Sequence, residues 1–245
     1  MIIYGKNPII EILSNPSSVV EELYLSRDDK KNSAAEIIKT AKSRGIRTSL
    51  LTKEDLTELC ETHSHQGFAA RVKDFEYSDL VDTISNAKQK GEQLLLLLLD
   101  HLEDPQNLGA IIRTADVLGA HGVVIPKDRA ASVTPAVVKA SAGAVNYLPV
   151  SRVVNLAKVI RDLKKEGVWI VGADSSSPTS VQEQDLKNMD IALVTGNEGK
   201  GLAQNIKSEC DFLVSIPQSG KVSSLNASVA TGIMIYEIVR QRNSR

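Results

Sequence analysis

The chain has 245 residues, 42% of them hydrophobic and 24% charged, an ordinary balance that excludes a disordered or fibrous protein. A formal charge of −1 excludes a strongly basic coat for nucleic acid, while leaving room for a local basic face offset by acidic residues elsewhere. Cys60 and Cys210 lie far apart with no CxxC or metal-ligand spacing, as expected of structural thiols in a reducing cytosol.

No charged segment precedes a long apolar core at the N-terminus, so no secretory signal is expected. The longest apolar run is Leu94 to Leu99, far short of the about 20 residues that a membrane span needs. A soluble protein of the cytoplasm is the expectation. Pro8 to Leu13 predicts a short helix and Glu22 to Leu25 a strand. Ser33 is the expected N-cap of a helix that runs to about Arg44 and ends at Gly45. Ile46 to Leu51 then predicts a strand, Lys53 to Cys60 a helix and Gly67 to Val72 a strand. This alternation implies a small sheet with mixed or parallel pairing, and about 75 residues suffice for such a domain. Lys39, Lys42, Arg44 and Arg47 make either a basic patch or a solvated helix face, since Glu36 shares the segment.

From Phe75 to Gly91 the pattern turns polar and only weakly helical, so residues 75–92 are expected to link a first domain (1–74) to a second (93–245). In the second domain, Leu94 to Leu99, Gly122 to Ile125, Val168 to Val171, Ile191 to Val194 and Phe212 to Ile216 are continuous apolar runs. Such runs mark strands of a parallel sheet covered by helices on both faces. One helix is expected after Thr134-Pro135, another from about Val153 to Glu166, and a last one from near Asn226. The fold class is therefore α/β.

Three polar, glycine-containing segments follow predicted strands, where open α/β sheets place their ligands. The first, Asp104 to Ala115, contains Asn107, a candidate helix cap, and Arg113 nearly two turns further on. The second, Thr195-Gly196-Asn197-Glu198-Gly199-Lys200-Gly201, superficially resembles a phosphate loop. It lacks the Ser or Thr required after the lysine, and its glycine spacing is not that of a dinucleotide fingerprint. The third, Ile216 to Ser228, crowds small and polar residues, among them Ser224 and Asn226, at the entrance to the last helix. Singly, each reads as well as a helix cap, a surface arginine or a glycine-rich turn. His63, His65, His101 and His121 show no metal spacing and read as structural or solvated residues.

Together, in this order, the segments closely resemble the three motifs of the SpoU (TrmH) family of RNA ribose 2′-O-methyltransferases, of the SPOUT class. The resemblance extends into the first domain, where His65-Gln66-Gly67 followed by Phe68-Ala69-Ala70 looks like the end of the small RNA-binding domain of RlmB-type enzymes. It implies a C-terminal parallel-sheet domain tied in a trefoil knot, and a small N-terminal α/β RNA-binding domain resembling a ribosomal protein. Knots are otherwise nearly absent from proteins. It further implies S-adenosylmethionine as methyl donor, no metal, a homodimer, no membrane, and a guanosine of 23S rRNA as substrate. Thr195, Gly196, Ile216 and Leu225 are then the donor-binding positions, and Asn107, Arg113, Glu198, Ser224 and Asn226 the polar catalytic site. Gln218 and Ala227 depart from the family's usual methionine and valine.

Methyl transfer to a hydroxyl is an in-line displacement that needs alignment and a route for the hydroxyl proton. The resemblance makes Arg113 the candidate for handling that proton, although a guanidinium stays protonated in proteins. A phosphate beside the ribose is then the expected acceptor, with Arg113 stabilising the developing negative charge and Glu198 orienting Arg113 or the motif backbone. The rival substrate is tRNA. The rival class is a non-catalytic RNA-binding or ribosome-assembly factor, which would have no need to keep the five polar residues together.

Overall fold

A computed structural model describes residues 1–14, 20–27, 33–73, 75–197, 199–221 and 224–244. They divide into two compact units, and the division is not a single cut. Residues 1–76 together with 133–147 form the first unit, and residues 77–132 with 148–245 the second.

In the first unit, β1 (Ile2–Tyr4), β2 (Val20–Ser26), β3 (Arg47–Leu51) and β4 (Phe68–Val72) form one sheet in the order β1-β4-β2-β3. β2 and β3 are parallel and the other pairs antiparallel. Helices α1 (Lys6–Ser14), α2 (Ser33–Ser43) and α3 (Lys53–Cys60) connect them. Ser33 is the first residue of α2 rather than its cap. Thr52 and Asp55 close a reciprocal capping box at α3, while Leu56, Cys60, Tyr24 and Ala69 bury together beneath it. The expected basic patch is divided, because Arg44 turns inward and donates to the carbonyls of Ile12 and Leu13 at 3.0 and 2.8 Å. His65 is buried, and its Nδ1 accepts from the Gly67 amide at 3.0 Å. Burial holds its pKa below the ordinary histidine value.

The excursion 133–147 contributes α6 (Pro135–Ala140) and a 3-10 turn at Ala144–Asn146. Thr134 occupies the cap position of α6, but its hydroxyl makes no capping bond. Within the first unit, α6 packs against α1 and β1. Lys139 stands 5.0 Å over the Tyr4 ring and donates to the Ser64 carbonyl, and Tyr147 donates to Glu11.

The second unit is a six-stranded, wholly parallel sheet in the order β10-β8-β9-β5-β6-β7. Its strands are β5 (Leu95–Asp100), β6 (Gly122–Pro126), β7 (Val150–Val153), β8 (Trp169–Ala173), β9 (Ile191–Gly196) and β10 (Phe212–Val214). Every residue of the leucine run is at most 1% exposed. Each contributes about 1.5–3 kcal/mol of burial. Leu94, Leu96 and Leu98 join a core with α7 (Leu156–Lys165), capped by Asn155, and with Ile206 of α8 (Gln204–Lys207). On the opposite face, α5 (Pro105–Val117) and α9 (Ala227–Asn243) pack on each other, on β6 and on β9.

The expected linker contains a helix, α4 (Leu80–Gln89), capped by Asp79. It buries Thr83 and Ala87, and Leu80 and Ile84 pack on the leucine core. A chain starting at Gly91 is therefore expected to melt about 5–15 °C below one starting at Tyr77, from the lost burial of those side chains. Calorimetric melting of both checks this, and equal midpoints would remove α4 from the core. No helix among the described residues is long and apolar enough to cross a membrane.

Candidate active site

The sheet brings the carboxyl ends of β5, β8, β9 and β10 side by side. Asp100 pairs in register with Gly196, Gly172 with Val194, and Val214 with Ala173. All three motif segments leave from these ends. Buried Asp100 ties the end of β5 to the chain just after the second segment: one carboxylate oxygen lies 2.6 Å from His101 Nδ1, and the other accepts from the Ala203 amide at 2.8 Å. Asn197 Nδ2 donates to the His101 carbonyl at 3.2 Å, and its own Oδ1 accepts from the Gly199 amide.

Gly196 is demanded by packing. A side chain there would enter the Gly201 carbonyl and come within 2.5 Å of the Leu202 nitrogen, so the returning loop rests directly on its Cα. Beside this contact lies a cavity whose walls include Thr195, Gly196, Ile216, Ser224 and Leu225. The two positions that depart from the family's usual residues, Gln218 and Ala227, line it as well. So do residues that the motifs did not single out: Asp174, Ser175, Thr231 and Met234. Asp174 and Ser175 directly follow a buried strand, the same placement that marked the three motifs.

Asn107 is not the cap of α5. Asp104 takes that role, accepting from the amides of Gln106 and Asn107, with Pro105 at the first helical position. Asn107 is then one turn inside and 6% exposed. Asn226 caps α9 through Oδ1, which accepts from the amides of Ser228 and Val229, and its Nδ2 donates to Asn107 Oδ1 at 3.0 Å. One amide therefore caps a helix and reaches the first motif, 119 residues away in the chain.

Arg113 is exposed on α5 and makes no hydrogen bond or ion pair among the described residues, and it does not line the cavity. Glu198 lies outside the described residues. Beside Arg113, the lining of a groove between α5 and α9 includes Val229, Gly232, Ile233 and Tyr236, with Thr114 and Ser228 as its polar members. Val229, Ile233 and Tyr236 are 50%, 39% and 59% exposed, whereas Ile235 of the same helix is fully buried. No cluster of three or more metal-ligating side chains occurs among the described residues.

Residues 94–236 match the model of the SpoU rRNA Methylase family, and residues 2–78 match that of the RNA 2′-O ribose methyltransferase substrate-binding domain. YacO of Bacillus subtilis, named for the TrmH family of tRNA/rRNA methyltransferases, is 45% identical over 98% of this chain and 96% of its own. The SpoU methyltransferase AviRb of Streptomyces viridochromogenes, solved in complex with the cofactor AdoMet, superposes with a TM-score of 0.81 at 30% identity, covering 99% of this chain and 90% of that one. An AdoMet-bound rRNA methyltransferase from Sinorhizobium meliloti gives 0.79 at 27% identity over 99% of this chain and 88% of that one. With its motifs assembled at one end of the parallel sheet and both domain models matched, the chain belongs to the SpoU family of RNA methyltransferases.

Proposed function

We propose that the protein transfers a methyl group from S-adenosylmethionine to a ribose 2′-hydroxyl of 23S rRNA, at a guanosine, in the cytoplasm. The observation that carries this reading is the cavity at the ends of β8, β9 and β10. Its described lining combines apolar walls (Ile216, Leu225, Met234) with neutral hydroxyl and amide groups and a single carboxylate. Such walls suit a ligand with an adenine ring, a ribose and a cationic sulfonium, and when bound that donor supplies an activated methyl group. The rRNA substrate is supported by the Sinorhizobium relative, which is named an rRNA methyltransferase and matches across both units. The substrate-binding domain match over residues 2–78 supports RNA docking by the first unit.

In this reading Thr195, Gly196, Ile216 and Leu225 hold the donor. Asn107 and Asn226 fix the entrance of α9, Ser224 faces the cavity, and Glu198 orients the arginine or the motif backbone. Arg113 steadies the negative charge that develops on the attacking oxygen, and a neighbouring RNA phosphate accepts the proton. Because Arg113 does not line its own chain's cavity, it serves a partner's, in a homodimer that covers the apolar groove of α5 and α9 around a two-fold axis. Purified protein is expected to bind S-adenosylmethionine in calorimetry without added metal. Ribose methylation mapped across rRNA and tRNA, with and without the gene, should change at one rRNA nucleotide. A change confined to tRNA would overturn the substrate, and no binding at millimolar donor would overturn the reading.

A further inference from the structure

Asp174 is the one charged residue among the described residues that line the cavity. It follows the last residue of β8, and its amide donates to the Val214 carbonyl at 2.9 Å, so the position is fixed between two strands. One carboxylate oxygen accepts from the amide and hydroxyl of Ser176, at 3.1 and 2.9 Å. The other faces the Lys207 ammonium at 2.8 Å, with only 11% of the Asp174 side chain exposed. Burial pushes its pKa up, but the Lys207 ammonium and the Ser176 donors outweigh it and hold the carboxyl below the ordinary aspartate value. Lys207 ends α8 and is not part of the cavity wall. The wall residue thus carries the negative end of the pair, and the positive end belongs to a residue outside the wall.

We infer that Asp174, with Lys207 behind it, makes the cavity hold the positively charged methyl donor more tightly than the neutral product left after transfer. The inference rests on the donor reading of the cavity given above. Transfer forms an oxygen–methyl bond, breaks the sulfur–methyl bond and releases the hydroxyl proton. The sulfur keeps the electron pair and becomes an uncharged thioether, S-adenosylhomocysteine. Both compounds keep the same amino-acid ammonium, carboxylate, ribose and adenine. The ratio of their affinities therefore reports only the sulfonium methyl and its charge, and a change in that ratio when a charge is removed reports the charge. A fixed negative charge near that sulfur favours the donor and lets the product leave. It gives no advantage to the transition state, where the positive charge is already fading. Asp174 is therefore assigned as a specificity-determining residue for the donor and not as a catalytic one.

The test is calorimetric titration of the full-length protein with S-adenosylmethionine and with S-adenosylhomocysteine, on wild type, Asp174→Asn and Lys207→Met. Asp174→Asn should lower the donor-to-product affinity ratio about tenfold, and Lys207→Met, which leaves the carboxylate unpaired, should raise it by a similar factor. A structural role alone would weaken both ligands together and leave the ratio where it was. If the asparagine variant does not fold, the methionine variant decides: a raised ratio supports the assignment and an unchanged one overturns it. Folded variants with the wild-type ratio overturn the assignment while leaving the donor reading intact. Wild-type protein that binds neither compound overturns the donor reading and this inference with it.

Discussion

Replacing Arg113 with alanine is expected to leave donor affinity nearly unchanged and to slow methyl transfer at least about 100-fold. The two effects separate because Arg113 stands on the exposed face of α5, outside the cavity that would hold the donor. Val117, one turn along the same stripe, is 74% exposed, and the groove residues Ala110 and Thr114 flank the arginine. In the proposed homodimer, an arginine beside this groove would enter the second copy of the chain. Rapid-quench transfer assays with saturating donor measure the loss, and near-normal turnover would remove Arg113 from the chemistry. Complementation then tests where it acts. An Arg113→Ala chain refolded with an Ala230→Trp chain, whose cavity is filled from α9, should recover activity that neither homodimer shows. Heterodimers verified by mass spectrometry that stay inactive would mean that each chain completes its own site.

Gly196→Ala should abolish donor binding and lower Tm by roughly 3–10 °C, the range for overpacking a rigid contact in a chain of this size. The added methyl meets backbone, the Gly201 carbonyl and the Leu202 amide, and no flexible side chain can yield to it. The loop from Asn197 to Ala203 would have to shift, taking with it the bonds of Asn197 to His101 and of Ala203 to Asp100. Binding calorimetry and melting together check this. A variant with wild-type affinity and stability would show that the loop is not seated on Gly196.

The buried strands of the second unit were legible because parallel strands covered on both faces leave unbroken apolar runs, as in Leu94 to Leu99. β7 was not, since Val150-Ser151-Arg152-Val153 lies at the sheet edge and holds two polar residues between its valines with no period of two, and the sequence suggested a helix starting at its end. Three-residue β1 falls below what periodicity can resolve. α4 hid behind its polar face, its apolar stripe reduced to Leu80, Ile84 and Ala87. The candidate site was legible as types of residue at strand ends, but not as partners. The Asn226 to Asn107 bond joins positions far apart in the chain, and Asp174 carries no motif around it. A knotted path is likewise a property of how the chain threads, which hydrophobic pattern does not encode, and the expectation of one came from the family resemblance alone.

The chain passes from one unit to the other three times, after residues 76, 132 and 147. On the ribosome this sets a waiting period. When residue 76 has been joined, the first unit has its four strands but lacks the segment carrying Val137, Val138 and Val145, each at most 2% exposed in the finished protein. A further 71 residues separate positions 76 and 147, which at about 5–20 residues per second amounts to roughly 4–14 s of synthesis. For that interval the apolar surfaces of α1 and β1 that receive α6 lack their cover, and β5 and β6 are synthesised before β7 and β9, the strands that flank them. The order of synthesis therefore exposes the protein to aggregation midway through translation, before either unit is complete.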